Sequence, residues 1–322
     1  MIRMHLNENS FIQQQYSYYP DPTYEELRES IRQKYKISNM EILIGNGSTE
    51  LISTIFLWAH LQGKKIVFPW PSYVLYQELE NLYKADVIRI PFGTSEWDSE
   101  KIIKFVPENS LLILCNPNNP TGMYWSLKNI KQLLSHLPAS VTVLIDEAYI
   151  EYVDISEEVA GLIEGMEFDP RCIVTRTFSK FYGLAGLRIG YAVLSSELYN
   201  IFRSYLQLWN VSIPAVEAAI ACLLDPSPFI RGKGQMIKLR NMFTDIATQH
   251  EFHVLPSQTN YLCLSHPRIN SIINSWENRG YLINRLLPYS DSDLNGYIRL
   301  SIEKSEIMEQ LIQIIKTKGE YL

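Results

Sequence analysis

The chain has 322 residues, of which 46% are hydrophobic and 20% are charged, and its formal net charge is -6. This length and composition predict a globular protein with one large domain and a smaller one. The negative charge and the scattered Lys and Arg residues argue against nucleic acid and anionic membranes as partners.

Four cysteines, Cys115, Cys172, Cys222 and Cys263, lie far apart in the sequence and lack CxxC spacing. They fall in segments typical of a buried core, which indicates reduced thiols. No apolar run approaches the roughly 18–20 residues that a membrane span needs, and the first residues contain no apolar region of a signal peptide. We therefore expect a cytoplasmic protein, and we expect no metal site.

Short apolar runs alternate with longer amphipathic stretches through the first two thirds of the chain. The predicted buried strands are residues 66–68, 111–115, 141–145, 173–175 and 189–194. The predicted helices are residues 48–62, 73–84, 127–137 and 197–208. This alternation predicts an α/β fold with a largely parallel sheet, in which helices form the crossovers.

After about residue 225 the pattern changes. The sequence DPSPF at 225–229 interrupts the periodicity, and a long helical stretch follows it. Shorter strands are predicted at residues 259–264 and 297–302, and an amphipathic helix at residues 305–318. These features predict a smaller α+β domain.

The segment TRTFSKFYGLAGLRIGY at 175–191 contains a lysine, Lys180, in a loop directly after a predicted buried strand. Loops that follow parallel strands form the crevice where such sheets bind ligands. A lysine that forms a Schiff base needs a lowered pKa, which neighbouring cations and partial desolvation supply. Thr177, Ser179 and Arg188 are suited to hold a phosphate through charge-assisted hydrogen bonds. The alternative is a solvated lysine in a polar loop.

The segment GNGSTE at 45–50 opens a predicted helix with small residues. Its free backbone amides and the helix dipole favour an anion at this end. The alternative is a glycine-rich turn in which Ser48 or Thr49 is the N-cap. The segment matches neither GxGxxG nor GxxxxGK[ST]. The sequence therefore lacks the main motif that would indicate a dinucleotide-binding dehydrogenase.

Two further segments follow predicted strands. NPNNPTG at 116–122 restricts its backbone through two X-Pro bonds and can place the Asn119 amide at the strand's carboxyl end. Asp146, in LIDEAY, ends the next strand, where an unpaired carboxylate would be costly. A protonated pyridine nitrogen is a suitable partner for that carboxylate, and Tyr149 could reach the same ring.

These four segments resemble the fold type I pyridoxal-phosphate enzymes, in particular the histidinol-phosphate aminotransferase branch of the class II aminotransferases. The resemblance covers nearly the whole chain. Further shared motifs are LNEN at 6–9, YPDP at 19–22, PSY at 71–73, NVS at 210–212 and IRLSI at 298–302.

The resemblance implies a three-layer αβα large domain, residues 35–225, with a mostly parallel seven-stranded sheet. A small α+β domain would comprise residues 1–34 and 226–322, and the protein would be a homodimer with shared active sites. The implied activity is a pyridoxal 5'-phosphate (PLP)-dependent aminotransferase that works by a ping-pong mechanism on an amino acid or amino-alcohol phosphate and a 2-oxo acid.

The resemblance also assigns roles to individual residues. Lys180 would form the Schiff base and move the Cα proton, and Asp146 would pair with the pyridine nitrogen. Asn119 and Tyr149 would hold the phenolate oxygen, and Tyr73 would stack on the ring. The implied phosphate ligands are Ser48, Thr49, Thr177, Ser179, Arg188 and Tyr19 of the neighbouring subunit, and the implied substrate ligands are Arg299, Asn7 and Arg285.

Two departures from the family pattern leave alternatives open. The segment between LNEN and YPDP is short, which alters the expected lid over the substrate. Trp209 precedes NVS, where the aminotransferases more often have tyrosine and the threonine-phosphate decarboxylases have tryptophan. The alternatives are a PLP-dependent decarboxylase, a specialised amino-acid biosynthetic enzyme and a non-catalytic PLP-binding module.

Overall fold

The computed structural model describes residues 5–9, 11–12, 14–154, 161–164, 169–290 and 292–317. The strands are β1 Glu41–Gly45, β2 Ile66–Trp70, β3 Val87–Pro91, β4 Leu111–Cys115, β5 Thr142–Asp146, β6 Cys172–Thr177, β7 Gly190–Leu194, β8 His253–Val254, β9 Tyr261–Ser265 and β10 Tyr297–Ser301. The helices are α1 Glu25–Tyr35, α2 Gly47–Leu61, α3 Val74–Tyr83, α4 Ser99–Phe105, α5 Leu127–His136, α6 Ser196–Arg203, α7 Ile213–Leu224, α8 Ser227–Gln249, α9 Ile269–Glu277 and α10 Ser305–Lys316.

Seven strands form the main sheet, in the order β1-β7-β6-β5-β4-β2-β3. Strands β2 to β6 pair in parallel, whereas β7 is antiparallel to both of its neighbours. This arrangement confirms the predicted α/β fold with a mostly parallel seven-stranded sheet. Because the carboxyl ends of the parallel strands meet at one edge, loops from distant parts of the sequence converge there.

Side chains that alternate along each strand enter two separate hydrophobic cores, one on each face of the sheet. On β4, Leu112 and Leu114 belong to the core that includes α5 and α7, while Leu111 and Ile113 belong to the core that includes α2, α3 and α6. Burial on both faces explains why the central strands are continuous apolar runs in the sequence. The large domain is therefore a three-layer αβα structure, as predicted.

Helix α1 packs on the large domain. Its buried residues Leu27 and Ile31 lie in the same core as Ile42 and Ile44 of β1. Residues 25–34, which the sequence interpretation placed in the small domain, therefore pack with the large one. The predicted boundary between residues 225 and 226 stays a prediction.

The C-terminal part of the chain forms a three-stranded antiparallel sheet in the order β10-β9-β8. Helices α8, α9 and α10 pack on it around a third core that includes Phe243, Trp276 and Leu311. This confirms the predicted smaller α+β unit.

The small sheet touches the carboxyl edge of the main sheet through direct hydrogen bonds. The Tyr261 hydroxyl of β9 donates to the Asn118 carbonyl at 2.9 Å, and Arg299 Nη1 of β10 donates to Asn119 Oδ1 at 2.8 Å. The Tyr289 hydroxyl donates to the Ser72 carbonyl at 2.7 Å. Residues from both parts of the chain therefore meet at the edge where ligands bind in such folds.

A buried ion cluster ties the ends of β5 and β6 together. Arg176 donates to Glu147 Oε2 from Nε at 2.9 Å and from Nη2 at 2.7 Å. It also donates to both carboxylate oxygens of Glu164, at 2.8 Å and 2.6 Å. Arg176 and Glu147 are fully buried. Neighbouring residues of a strand point to opposite faces of the sheet. The ion cluster therefore lies on the face opposite to the side chains of Asp146 and Thr177.

The described residues contain no single helix long and apolar enough to cross a membrane. Within the part of the chain that the structure describes, one helix pair, α7 with α8, reaches that length and apolarity, and it is bent by 75° at the junction. The four cysteines are free and buried.

Candidate active site

A cavity of about 260 Å³ opens at the carboxyl edge of the main sheet. We call it the central cavity. It is lined by Ser48, Thr49, Tyr73, Cys115, Asn119, Asp146, Ala148, Tyr149, Thr177, Ser179, Lys180, Arg188 and Arg299. These residues come from α2, β4, β5, β6, β10 and the loops beside them, so the cavity exists only in the folded chain.

One end of the central cavity is suited to an anion. Ser48 and Thr49 lie in the first turn of α2, where backbone N–H groups have no partner within the helix and the dipole favours negative charge. Arg188 lies opposite, and its Nη1 donates to Ser179 Oγ at 3.2 Å. The Ser179 amide in turn donates to Thr177 Oγ1 at 3.1 Å. Helix amides, hydroxyls and a guanidinium thus surround one position for a phosphate.

Two glycines allow this close approach. A Cβ on Gly47, which has a φ of +74°, would lie 2.7 Å from Arg188 Nη2. A Cβ on Gly190 would lie 2.5 Å from the Ser48 backbone nitrogen and 2.8 Å from the Arg176 carbonyl oxygen. A side chain at position 190 would therefore force α2 and β7 apart, whereas one at position 47 would strain the backbone and displace the Arg188 guanidinium.

Asp146 places a buried carboxylate on the floor of the central cavity. Its Oδ2 accepts a hydrogen bond from the Tyr76 hydroxyl at 3.2 Å, and its Oδ1 accepts one from Thr175 Oγ1 at 3.3 Å. Burial raises the pKa of this carboxyl to about 6, while the two hydrogen bonds and the Lys180 charge oppose that rise. Above that pH the group is a carboxylate that can pair with a buried cation.

Lys180 places its amine in the same cavity, with Nζ 5.5 Å from the centre of the Tyr149 ring. The side chain is exposed to the open cavity, but protein surrounds it enough that desolvation lowers the pKa of its ammonium. The positive charges of Arg299 and Arg188 lower this pKa further, and Asp146 acts in the opposite direction. A lowered pKa leaves a larger fraction of the amine unprotonated, and only the unprotonated amine can act as a nucleophile or a base.

The far wall of the central cavity contains an amide held in one orientation. Asn119 Oδ1 accepts the hydrogen bond from Arg299 Nη1, so the Asn119 Nδ2 group is left to donate elsewhere. The loop that carries Asn119 is fixed by Asn118, whose Nδ2 donates to the Pro71 carbonyl and to Thr121 Oγ1. The peptide bonds before Pro117 and Pro120 are cis.

Three of the predicted site residues do not line the central cavity. Asn7 and Tyr19 line a second, open cavity of about 550 Å³, which we call the arm cavity, together with Ser212, Ile213 and Pro214. Tyr19 stacks on Trp209, with ring centres 4.5 Å apart. Arg285 lies at the surface, where its Nη2 donates to Glu277 Oε2 at 2.6 Å and to Asn274 Oδ1 at 3.2 Å.

Sequence interpretation missed three residues at this site. Cys115 ends β4 and is the register partner of Asp146 on the adjacent strand, so its position at a strand's carboxyl end was an available signal. Ala148 lies between Asp146 and Tyr149 and also lines the cavity. Tyr76 lies three residues after Tyr73, a spacing that places both on one side of α3.

The fold and the site define a PLP-binding enzyme. An amine is present for the aldehyde of PLP, an anion site for its phosphate, a buried carboxylate for its pyridine nitrogen and an amide donor for its phenolate oxygen. The glycine contacts at Gly47 and Gly190 show that the start of α2, the start of β7 and Arg188 lie close together at the anion end.

Residues 4–315 match the model of the family aminotransferase class I and II. The histidinol-phosphate aminotransferase of Staphylococcus epidermidis is 32% identical over 316 residues, which covers 98% of this chain and 85% of that protein. The chain therefore belongs to the class I and II aminotransferases, and it is a PLP-dependent aminotransferase.

Solved structures agree with this assignment. The histidinol-phosphate aminotransferase of Sinorhizobium meliloti, in complex with PLP, superposes with a TM-score of 0.81 at 25% identity, over 94% of this chain and 84% of that one. The L-threonine-O-3-phosphate decarboxylase of Porphyromonas gingivalis superposes with a TM-score of 0.78 at 24% identity, over 94% of this chain and 91% of that one. The second likeness concerns the fold alone.

Substitution of Gly190 by alanine should weaken cofactor binding. The new methyl group would meet backbone atoms of Ser48 and Arg176, and overpacking of this kind costs about 1–3 kcal/mol. We expect this cost to fall on the bound state and to lower the affinity for PLP by about 5- to 150-fold, which titration of the visible absorbance measures. Gly186→Ala is the matched control because nothing lies within 4 Å of a Cβ there. Equal affinities in the two variants would show that the Gly190 contact is unimportant.

Proposed function

We propose that Lys180 binds PLP and moves the proton during transamination, and that histidinol phosphate is the first candidate amino donor. The observation that carries this proposal is the meeting of Lys180, Asp146, the anion end and Arg299 around one cavity. Bound PLP supplies an electron sink that stabilises negative charge at the substrate's Cα.

The chain's own residues would divide the work of binding the cofactor. Ser48, Thr49, Thr177, Ser179 and Arg188 would hold the phosphate at the anion end. These phosphate contacts lie away from the reacting atoms, and they would fix the position of the ring.

Three further groups would hold the ring itself. Asp146 would keep a proton on the pyridine nitrogen through an ion pair, which strengthens electron withdrawal. Asn119 Nδ2 and the Tyr149 hydroxyl would donate to the phenolate oxygen. Burial raises the pKa of Tyr149, so its phenol stays protonated and able to donate. Tyr73 would stack on the face of the ring.

Lys180 has the properties of the proton carrier. Its pKa is lowered by partial desolvation and by neighbouring cations, so a larger fraction is the neutral amine than for a lysine surrounded by water. With substrate bound, the free Nζ of Lys180 would take the proton from the substrate's Cα and hold it for delivery in the proton transfer that completes the half-reaction. The same groups would then serve the 2-oxo acid in reverse, which predicts ping-pong kinetics.

Arg299 would bind the anionic end of the substrate. One of its nitrogens is occupied by Asn119, and the planar guanidinium retains further N–H donors for a carboxylate or phosphate. The relatives named histidinol-phosphate aminotransferase support histidinol phosphate as donor. They do not favour the decarboxylase alternative, whose structural counterpart shares the fold only.

We further propose a homodimer in which Tyr19 serves the neighbouring active site. Tyr19 is 47% exposed and lines the arm cavity rather than the central cavity of its own chain. Tyr19 also lines an apolar groove with Ile220 and Leu224, which is 77% exposed, and contiguous exposed apolar surface is typical of an interface. Free, buried cysteines are consistent with a cytoplasmic location, which cell fractionation would test.

The donor is tested by adding PLP to the purified enzyme and then histidinol phosphate or single amino acids. A visible absorbance band from lysine-bound PLP should form, and the true donor should convert it to the shorter-wavelength band of pyridoxamine phosphate. Lys180→Ala should give no visible band and lose at least about 10³-fold in kcat, since it removes the nucleophile. Lys131→Ala, an exposed lysine on α5, is the matched control.

The outcomes separate the alternatives. If the band forms but a donor releases carbon dioxide, the enzyme is a decarboxylase. If histidinol phosphate fails while another donor converts the band, transamination stands and the proposed donor is wrong. A visible band in Lys180→Ala as strong as in wild type would contradict the role of Lys180.

The shared site predicts complementation between two inactive variants. A heterodimer of Lys180→Ala with Tyr19→Ala would contain one site lacking both groups and one complete site. Purified through two different tags, it should show about half the wild-type activity per dimer, because a symmetric dimer has two equivalent sites. Activity no higher than that of the Tyr19→Ala homodimer, or a monomer in sedimentation, would exclude the shared site.

A further inference from the structure

Tyr76 joins two groups of the central cavity without lining the cavity itself. It lies on α3, is fully buried, and its hydroxyl donates to Asp146 Oδ2 at 3.2 Å. The other carboxylate oxygen is held by Thr175, also fully buried, at 3.3 Å. Both oxygens of Asp146 are thus directed by donors from neighbouring elements.

The ring of Tyr76 contacts the aromatic wall of the same cavity. Its centre lies 5.8 Å from that of Tyr73 at an interplanar angle of 79°, an edge-to-face contact. On another side it packs on Phe68 of β2, with ring centres 5.5 Å apart. Because Phe68 is buried in the sheet core, Tyr76 is held rigidly between the core and the cavity.

We propose that Tyr76 is a positioning residue for transamination, which orients the Asp146 carboxylate through its hydroxyl and supports Tyr73 through its ring. This inference rests on the proposed roles of Asp146 and Tyr73 in holding the cofactor ring. Tyr76 touches neither cofactor nor substrate in this scheme and acts through those two residues.

The electrostatics of Asp146 show why a donor is needed. Burial alone raises the pKa of this carboxyl, and the hydrogen bond from Tyr76 is the largest effect that opposes the rise. The titratable groups that face Asp146 are Tyr73 and Tyr76 from the α3 side, Cys115 from β4, Tyr149 after β5 and Lys180 after β6. Among these, Lys180 is the cation, and the proposed mechanism uses it as a neutral amine, so its charge is not a constant partner for Asp146.

The pairing of Asp146 with a ring nitrogen depends on pH. The ionised fraction of Asp146 falls as the pH drops through its pKa of about 6. Without the Tyr76 hydroxyl that pKa rises further, so the pairing with a ring nitrogen is lost at a higher pH. A hydrogen bond to a charged group corresponds to a shift of about 1–2 pH units.

The test uses Tyr76→Phe, which retains the ring and its packing on Phe68 and Tyr73. The dissociation constant of PLP is measured against pH by titrating the visible absorbance, and kcat and KM are measured over the same range. The matched control is Tyr289→Phe, which also deletes a buried hydroxyl, one that donates to the Ser72 carbonyl and not to Asp146.

We expect the acid limb of the PLP-affinity profile to move to higher pH by about 1–2 units in Tyr76→Phe and to stay in place in Tyr289→Phe. At neutral pH kcat should fall roughly tenfold, with KM for the donor little changed, since the substrate contacts remain. Coincident profiles for wild type and Tyr76→Phe would overturn the positioning role while leaving the proposed function intact.

Two other outcomes also decide the matter. Equal shifts in Tyr76→Phe and Tyr289→Phe would mean that loss of any buried hydroxyl disturbs the site, which contradicts the proposal. If wild type forms no visible band with PLP, the proposed function fails, and the role of Tyr76 fails with it.

Discussion

The site depends on one carboxylate that the fold buries at the end of a central strand. Removing a carboxylate from water is costly, and Asp146 is 2% exposed. Hydrogen bonds from Tyr76 and Thr175 and the charge of Lys180 offset part of that cost, yet the pKa still rises to about 6. A cationic ring nitrogen placed in the cavity would offset the remaining cost of burying the Asp146 carboxylate. The burial of Asp146 therefore favours the binding of PLP.

The direction of the strands explains how the other groups reach this carboxylate. Cys115, Asp146 and Thr175 occupy register positions on β4, β5 and β6, so that the loops after these strands begin side by side. Those loops carry Asn119, Tyr149 and Lys180. On the opposite face, the ion cluster of Arg176 with Glu147 and Glu164 prevents β5 and β6 from separating. Arg299 arrives from the small sheet and is fixed by Asn119.

Much of the fold could be predicted from the sequence because the central strands are buried on both faces. The runs at 111–115 and 189–194 differ from β4 and β7 by at most one residue at an end. Strand β3 was missed because it lies at the sheet edge and is only partly buried, with Arg89 in its centre. The helix expected to end at residue 208 ends at Arg203, and Trp209 beyond it has a φ of +55°.

The site could be predicted where motif residues follow strands, and it could not where long-range packing decides the position. The prediction brought Lys180, Asp146 and Arg299 to one cavity correctly, although their roles remain proposals. Arg285 instead forms an ion pair with Glu277 on α9. No local sequence pattern predicts this contact. Tyr76 was missed because a tyrosine on a buried helix face is usually part of the core, and its hydroxyl becomes informative only once Asp146 lies beside it.

The attachment of PLP to Lys180 is the central claim, and it can be tested directly. Borohydride reduces the carbon–nitrogen double bond that joins the cofactor aldehyde to a lysine, and peptide mass spectrometry then locates the added group. The account predicts that the reduced enzyme carries one pyridoxyl phosphate per chain on the peptide that contains Lys180. A label on another lysine, or none under conditions where PLP binds, would contradict it.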